Sequence, residues 1–367
     1  MNTQLNKVTR PADIKAFSMP ELKQLASEMR QLVLEKDAAI SGHVGPNLGA
    51  METTIAFHYV FDSPKDKIIW DISHLAYGHK MLTGRKEAFL DPDHYHDVSG
   101  YSAPDESEHD FFTVGHTSTS VALAVGMAKA RDVLGQQGNI VAFMQRAYDQ
   151  LSHDVALNDL PVIIMVNGGI NGGSKTHLGI FDIPYLNTIP NINYLHPSNQ
   201  AELLAMLRWA LTKAKHPVAI RIPSQPVVLG TALQEDFAPS HYDLVREGKT
   251  VAILGLGKFA QLAVKTAELL AKKGRQVTVV KPYSATSLDE ECLSGLEAKH
   301  QLVVTLEDAS IVGGFGSLVS QFYADKAMKV LNYGAAKKFT DNISQAELYK
   351  QFHLTPELLA QDIEENL

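Results

Sequence analysis

The stretch Val251-Ala-Ile-Leu-Gly-Leu-Gly-Lys-Phe-Ala-Gln-Leu-Ala-Val-Lys-Thr-Ala-Glu-Leu-Leu-Ala-Lys-Lys-Gly-Arg-Gln-Val-Thr-Val-Val280 decides the fold class. Its ends, Val251 to Leu254 and Val277 to Val280, are short apolar runs of strand length. Between them, Ala260 to Lys272 predicts a helix. A strand, a helix and a strand in close succession form a βαβ unit, and a crossover of that kind joins parallel strands. The first turn, Gly255-Leu-Gly257-Lys-Phe-Ala260, also fits the dinucleotide pattern G-x-G-x-x-A. That pattern needs an acid at the end of the second strand to hold the ribose hydroxyls, and here the strand runs into Lys281-Pro282. The glycines are therefore read as serving a tight strand–helix turn.

Working outward, the same alternation continues. Leu302 to Leu306 reads as a strand, followed by Glu307-Asp-Ala-Ser-Ile-Val-Gly-Gly-Phe-Gly-Ser and a helix. Towards the N-terminus, Val218–Ile222, Ile192–Leu195, Val162–Val166, Asn139–Phe143 and Lys67–Asp71 read as strands. Ala201–Lys213, Val121–Val133 and Ala50–Val60 read as helices. Pro20 opens another, in which Leu22, Leu25, Met29, Leu32 and Val33 keep a period near 3.6. Ser41–Gly49 and Asn167–Lys175 read as glycine-containing loops, and Pro223–Pro239 as a linker. Strands alternating with helices predict an α/β architecture with mostly parallel sheets. One junction is irregular. The strand Asn139–Phe143 passes straight into Met144-Gln-Arg-Ala-Tyr-Asp-Gln, a helix start with no loop before it.

At 367 residues the chain is long enough for two or three domains. Thirty-three basic against 41 acidic residues give a net charge of −8, which argues against nucleic-acid and basic membrane-surface roles. A single cysteine, Cys292, excludes an intramolecular disulfide framework and a cysteine-based zinc site. Met1–Arg10 has no apolar signal-peptide core, and no apolar run reaches membrane-spanning length. These features predict a cytoplasmic enzyme or assembly protein.

The histidines carry the chemical signal. His43, His74, His79, His116 and His177 all fall in glycine-containing segments, several of them after predicted strands, where α/β folds place ligands. Imidazoles there can relay protons near neutral pH or hydrogen-bond hydroxyls and phosphate. Asp91-Pro-Asp-His-Tyr-His-Asp97 gathers acids and imidazoles, but its spacing matches no helical metal-ligand pair. No G-x-S-x-G elbow is present, so a serine hydrolase is unsupported.

Several of these segments together resemble one family. Ser41-Gly-His-Val-Gly-Pro-Asn-Leu-Gly49, Ile69-Trp-Asp-Ile-Ser-His-Leu-Ala-Tyr-Gly-His-Lys-Met-Leu-Thr-Gly-Arg85 and Thr113-Val-Gly-His-Thr-Ser-Thr-Ser120 resemble the N-terminal half of 1-deoxy-D-xylulose-5-phosphate synthase, a thiamine-diphosphate-dependent relative of transketolase. Phe143-Met-Gln-Arg-Ala-Tyr-Asp-Gln-Leu-Ser-His-Asp154 and Thr176-His-Leu-Gly-Ile-Phe-Asp182 resemble its pyrimidine-binding domain. Leu306-Glu-Asp-Ala-Ser-Ile-Val-Gly-Gly-Phe-Gly-Ser317 resembles its C-terminal domain.

The resemblance implies catalytic roles for His43, His74 and His177. It implies cofactor contacts for His74, Gly115, His116, Thr117, Phe143 and Arg146, with Phe143 stacking on the aminopyrimidine. Tyr148 and Asp149 belong to the same helix start. The implied cofactors are thiamine diphosphate and Mg2+. The implied reaction condenses pyruvate, with loss of carbon dioxide, with glyceraldehyde 3-phosphate, within isoprenoid and thiamine biosynthesis. Small-molecule substrates and a homodimer follow from the family, and no nucleic-acid or membrane partner does.

Three departures stand out. The Gly-Asp-Gly…Asn segment that would hold magnesium and the diphosphate is absent, as is the segment with the activating glutamate. Both would fall between Ala142 and Phe143, so no metal ligand is assigned in this chain. An engineered deletion, a natural loss or an omitted stretch would each read this way. Asn167 and Ser224 stand where the family places arginines that clamp the acceptor's phosphate, which points to an acceptor that is less phosphorylated or differently held. Gly168-Gly-Ile-Asn-Gly-Gly-Ser174 lacks an aspartate usual before the Thr-His pair.

The expected architecture is a thiamine-diphosphate-binding α/β fold of parallel sheets flanked by helices, plus a transketolase-type C-terminal α/β domain. Its expected parts are a truncated diphosphate-binding domain over 1–142, a truncated pyrimidine-binding domain over 143–238, and the C-terminal domain over 239–367. A transketolase-type ketol transfer and a non-catalytic remnant or assembly subunit are the alternatives.

Overall fold

The computed structural model describes residues 3–71, 73–115, 119–144, 147–172, 175, 178–223 and 237–367, with the side chains of Phe143, Met144 and Pro223 outside that set. The chain divides into two compact units, one of residues 1–155 with 162–164, the other of 156–161 with 165–367.

In the first unit, the helix Met19–Ile40 starts where its sequence dictates. Ser18 and Glu21 form a reciprocal capping box, and Pro20 sits in the first turn, where its missing N–H costs nothing. The buried face runs through Leu22, Leu25, Met29, Leu32 and Val33, and then continues into Lys36 and Asp37. The next helix is Val44–Val60, so the expected loop over 41–49 shrinks to three residues. Pro46 falls in the first helical turn, which tolerates proline. Leu25, Met29, Met51, Ile55, Met81 and Phe89 build the helical core of this unit.

Strand β1 (Lys67–Ile69) pairs in parallel with β2 (Ile140–Met144), Ile69 opposite Ala142. The helix Thr119–Val133 covers them, and its Ala124 and Ala128 pack with Ile69, Ile140 and Ala142. Small residues on the helix let it approach the strands closely.

The second unit takes the last four residues of β3 (Ile163–Gly168), followed by β4 (Asn193–Leu195) and β5 (Val218–Pro223), in the spatial order β3-β5-β4. It also holds β6 (Asp243–Arg246), β7 (Thr250–Gly255), β8 (Thr278–Lys281), β9 (His300–Ser310) and β10 (Lys329–Ala335), ordered β10-β9-β7-β8-β6. Only β6 in that sheet runs antiparallel. Val251, Ile253, Val279, Val304 and Leu306 face Phe259, Ala263, Ala267 and Leu270 of the helix Phe259–Lys272 in one core.

The quoted βαβ stretch thus folds as its pattern predicts. Gly255 and Gly257 make the turn. A Cβ on Gly255 would lie 2.6 Å from the Phe259 carbonyl oxygen, and Gly257 has a φ of +56°. Strand β9 outruns the expected Leu302–Leu306, because the polar Glu307 and Asp308 remain in the strand and are buried. Glu307 accepts hydrogen bonds from the N–H groups of Phe315 and Gly316, at the start of the helix Phe315–Phe322, 2.8 and 2.9 Å away. Among the described residues no helix is long and apolar enough to cross a membrane.

Candidate functional site

His43 and His74 meet in the first unit. Their ring centroids lie 4.9 Å apart in an edge-to-face arrangement, and Tyr101 sits 5.5 Å from His43 on another side. His43 is the residue before the helix Val44–Val60 and His74 lies in the turn after β1, so backbone held from both segments sets their approach.

Asn47 supplies that hold. Its side-chain amide donates to the carbonyl oxygens of His43 and His74, at 2.7 and 2.8 Å, while its Oδ1 accepts the Tyr77 N–H at 2.9 Å. It is buried, and one side chain pins three backbone groups. Ser73 does similar work next door. Its hydroxyl donates to the Val114 carbonyl at 2.8 Å and accepts the Val114 N–H at 3.2 Å, which fixes the backbone leading into Gly115.

The His43 ring borders a cavity of about 290 Å³, with Lys36, Tyr77, Tyr95 and His96 among its walls. Burial, followed by the neighbouring His74, pushes the His43 pKa down, so the imidazole is neutral near pH 7. A neutral imidazole can accept a proton from a ligand hydroxyl. Lys36 is the charged side chain of the helix Met19–Ile40 that lines the cavity, and Asp37 follows it in the chain. The Lys36 ammonium donates to the Ala88 carbonyl at 2.9 Å and lies over the Phe89 ring at 4.3 Å, and burial lowers its pKa to about 8. Asp37 is buried beside it, and burial raises its pKa. Neither was singled out from the sequence. The available signal was periodicity, because both continue the stripe of Leu25, Met29, Leu32 and Val33 towards the core.

The remaining expected positions are distributed as follows. Gly115 is exposed, and a Cβ there would meet nothing within 4 Å. His116, Thr117, Arg146, His177 and Ser224 lie outside the described residues, as does the side chain of Phe143. Asn167 is exposed near the end of β3. Nearby Arg221 does not offer a free clamp in place of the missing arginines. It is buried, paired with Asp182 at 2.9 Å, and donates to the Asp308 carbonyl at 2.9 Å.

His79 departs from the reading of it as a loop histidine. It lies in the short helix Tyr77–Lys80, fully buried, with Nε2 2.9 Å from Asp110 and Nδ1 2.8 Å from His58. Arg85 clamps Asp110 with two hydrogen bonds of 2.8 Å, and Lys80 pairs with Glu106. This is core architecture, with no opening to a ligand among its described partners. His94 pairs instead with Asp97 on an exposed turn, 2.6 Å away.

A diphosphate-bound metal needs a loop of oxygen ligands after the strand that here is β2. Among the described residues the backbone offers no such loop. Ala142 pairs with β1 and the strand continues through Phe143 to Met144. Among the described residues no three His, Cys, Asp or Glu side chains gather as a metal site. The metal end of a thiamine diphosphate site therefore does not fit this chain as it stands.

Comparison with known proteins gives a consistent pattern. Residues 5–167 match the family model described as 1-deoxy-D-xylulose-5-phosphate synthase, residues 118–228 the transketolase pyrimidine-binding domain, and residues 240–359 the transketolase C-terminal domain. A 1-deoxy-D-xylulose-5-phosphate synthase from Symbiobacterium thermophilum is 25% identical over 613 aligned positions, covering 98% of this chain and 94% of the relative. Because 613 positions far exceed the 367 residues present, a large internal part of that relative has no counterpart here. A synthase from Dictyoglomus turgidum is 50% identical over 138 residues, 38% of this chain and 22% of the relative. Among solved structures, one described as a split gene transketolase, inactive beta4 tetramer, superposes with a TM-score of 0.66 at 21% identity, covering 86% of this chain and 96% of that one.

Proposed function

Starting from a chain that belongs to the thiamine-diphosphate-dependent transferases of the 1-deoxy-D-xylulose-5-phosphate synthase and transketolase type, we propose that it serves a synthase reaction joining pyruvate, with loss of carbon dioxide, to an aldehyde. In this reading the chain supplies the acceptor pocket and its proton-transfer groups, and a second polypeptide supplies the metal-ligand segment and the activating glutamate. The observation that carries it is the pairing of His43 and His74 beside a cavity, in a chain whose β2 runs unbroken where the metal loop would be.

Thiamine diphosphate, with Mg2+, supplies the electron sink for decarboxylation when bound. The residues of this chain bind and orient the aldehyde. His43, neutral and half-enclosed, takes or returns the proton of the acceptor's oxygen, and His74 orients it from the adjoining turn. Gly115, His116, Thr117, Phe143 and Arg146 are the residues proposed to lie along the cofactor, and His177 to face the substrate. The three domain types are proposed to span 1–142, 143–238 and 239–367. A homodimer in the cytoplasm fits the family, and the split-gene neighbour is a precedent for a transketolase made from separate chains.

The test is release of carbon dioxide from pyruvate in the presence of glyceraldehyde, thiamine diphosphate and Mg2+. The chain alone is expected to be silent. Mixing it with the isolated diphosphate-binding domain of a full-length relative is expected to restore release. Turnover by the chain alone, or silence of the mixture, would overturn the proposal.

A further inference from the structure

Lys36 is a buried amine that no acid holds. It is only 3% exposed, on the face of the helix Met19–Ile40 that carries Leu25, Met29, Leu32 and Val33 into the core. Among the described residues its one hydrogen bond is to the Ala88 carbonyl, at 2.9 Å. Asp37, next in the chain, does not pair with it, because neither of its carboxylate oxygens has a hydrogen-bond partner. A lysine buried this deeply is ordinarily paired.

The surroundings of the amine are aromatic. Its Nζ lies 4.3 Å from the centroid of the Phe89 ring, 5.7 Å from that of Tyr95 and 6.0 Å from that of Tyr77. Tyr95, Tyr77 and Lys36 itself all line the cavity of about 290 Å³, so the amine is bracketed by rings that form its wall. Ile40 and Val98 extend the apolar part of that wall, and His43 and His96 bring two imidazoles to it.

Such a setting changes what a lysine can do. Burial, the largest cause, brings its pKa down to about 8. The Lys80 cation adds to the shift, and the charges of Asp37, Glu106 and Asp97 oppose it. Roughly a tenth of Lys36 is then free amine at neutral pH, against less than about a thousandth of an exposed lysine. A desolvated amine beside a cavity is the state in which lysine attacks carbonyl carbon.

We propose that Lys36 is a nucleophile that captures small aldehydes in this cavity as a reversible imine. The nitrogen lone pair bonds to the carbonyl carbon, a proton passes from nitrogen to the former carbonyl oxygen, and loss of water leaves the C=N bond. A lining imidazole, His43 or His96, is of the type that carries such a proton. Nothing is oxidised or reduced, and hydrolysis returns amine and aldehyde. The cavity is at the small end for ligand sites, which selects aldehydes of few carbons. Capture is not the condensation itself, since a carbanion adding to the imine carbon would leave its product tied to Lys36 by a C–N bond. The imine instead holds the aldehyde at the cavity until water frees it. The proposal deepens the reading of this cavity as the acceptor pocket. Imine formation needs neither cofactor nor second polypeptide, so its failure can be told apart from failure of that reading.

The probe is D-glyceraldehyde with sodium cyanoborohydride, applied briefly to the full chain near neutral pH without thiamine diphosphate. Hydride reduction of an imine leaves on the lysine the mass of glyceraldehyde less one oxygen, and peptide mass spectrometry locates it. Lys36 is expected to be labelled on the order of tenfold faster than exposed lysines such as Lys7 and Lys273. In urea, where the chain unfolds and the amine regains water, that preference is expected to vanish. Labelling of native Lys36 no faster than of the exposed lysines would make it a structural donor to Ala88 and overturn the proposal. A preference that survives unfolding would overturn it as well, because the reactivity would then not come from the cavity.

Discussion

Asn47 gives the candidate site its shape without taking part in any chemistry. Its amide is the common partner of the His43 carbonyl, the His74 carbonyl and the Tyr77 N–H. Replacing it with leucine keeps the volume roughly constant and strands all three. Each stranded buried group costs about 1–3 kcal/mol, so Asn47→Leu should lose roughly 3 kcal/mol or more in urea unfolding. A loss below about 1 kcal/mol would show that the bracket does not hold the two histidines. The buried pair His58 and His79 makes a different prediction at the same scale. Burial is the first cause lowering both pKa values, and for His79 the cations Arg85 and Lys80 add to it against the Asp110 carboxylate. The folded state thus resists protonation that the unfolded chain accepts near pH 6.5. Stability is fully present above that pH and falls as pH drops below it, by about 1.4 kcal/mol per pH unit for each depressed histidine. In His58→Gln, the slope of unfolding free energy between pH 6.5 and 5 should be visibly shallower. An unchanged slope would assign the acid sensitivity elsewhere.

The elements show what a sequence can and cannot announce. The turn between β7 and its helix follows from the glycines, and its use follows from the missing acid at Lys281, which is paired with Glu202 in the structure. Gly255→Ala should cost about 2 kcal/mol or more, since its Cβ meets backbone atoms at 2.6 to 2.8 Å that cannot swing aside. Millimolar NAD should leave the melting temperature of the wild type unchanged, and a saturable rise would restore the dinucleotide reading. Strands β7, β8 and β9 were legible because both their faces are buried, which leaves apolar runs. Strands β6 and β10 were not. β6 is an exposed edge and β10 is half-buried over most of its length, so neither carries such a run. The helix Met19–Ile40 was legible from its stripe as far as Val33. Its last turn carries no apolar signal because Lys36 and Asp37 are charged, although both keep the period and Lys36 lines the cavity. Asn47 left no pattern at all. Its partners are backbone atoms of two separate segments, which only the folded chain brings together.

On the scale of the whole molecule, the decisive fact is an absence located at one peptide bond. The sequence runs a strand directly into a helix start at this point, and the structure pairs β2 with β1 as far as Ala142 and continues the strand to Met144. Relatives align over 613 positions to a chain of 367 residues, so the two units here meet the family's length only with a large insertion. A strand that ends at Ala142 and releases the chain into a loop would still keep the pair Ile69 and Ala142, because that pair precedes the junction. Inserting the missing segment of a full-length relative between Ala142 and Phe143 should therefore be compatible with the core that Ala124, Ala128 and Ile140 already form. The insertion is expected to create a response that the present chain lacks. With thiamine diphosphate and Mg2+ at about 100 times the dissociation constant, a ligand that binds only the folded state adds about 2.7 kcal/mol and raises the melting temperature by roughly 2 °C for a chain of this enlarged size. The chain without the insertion should show no Mg2+-dependent rise. If it rises equally, the metal is held by residues outside the missing segment, and the proposal that a second polypeptide must complete this site fails.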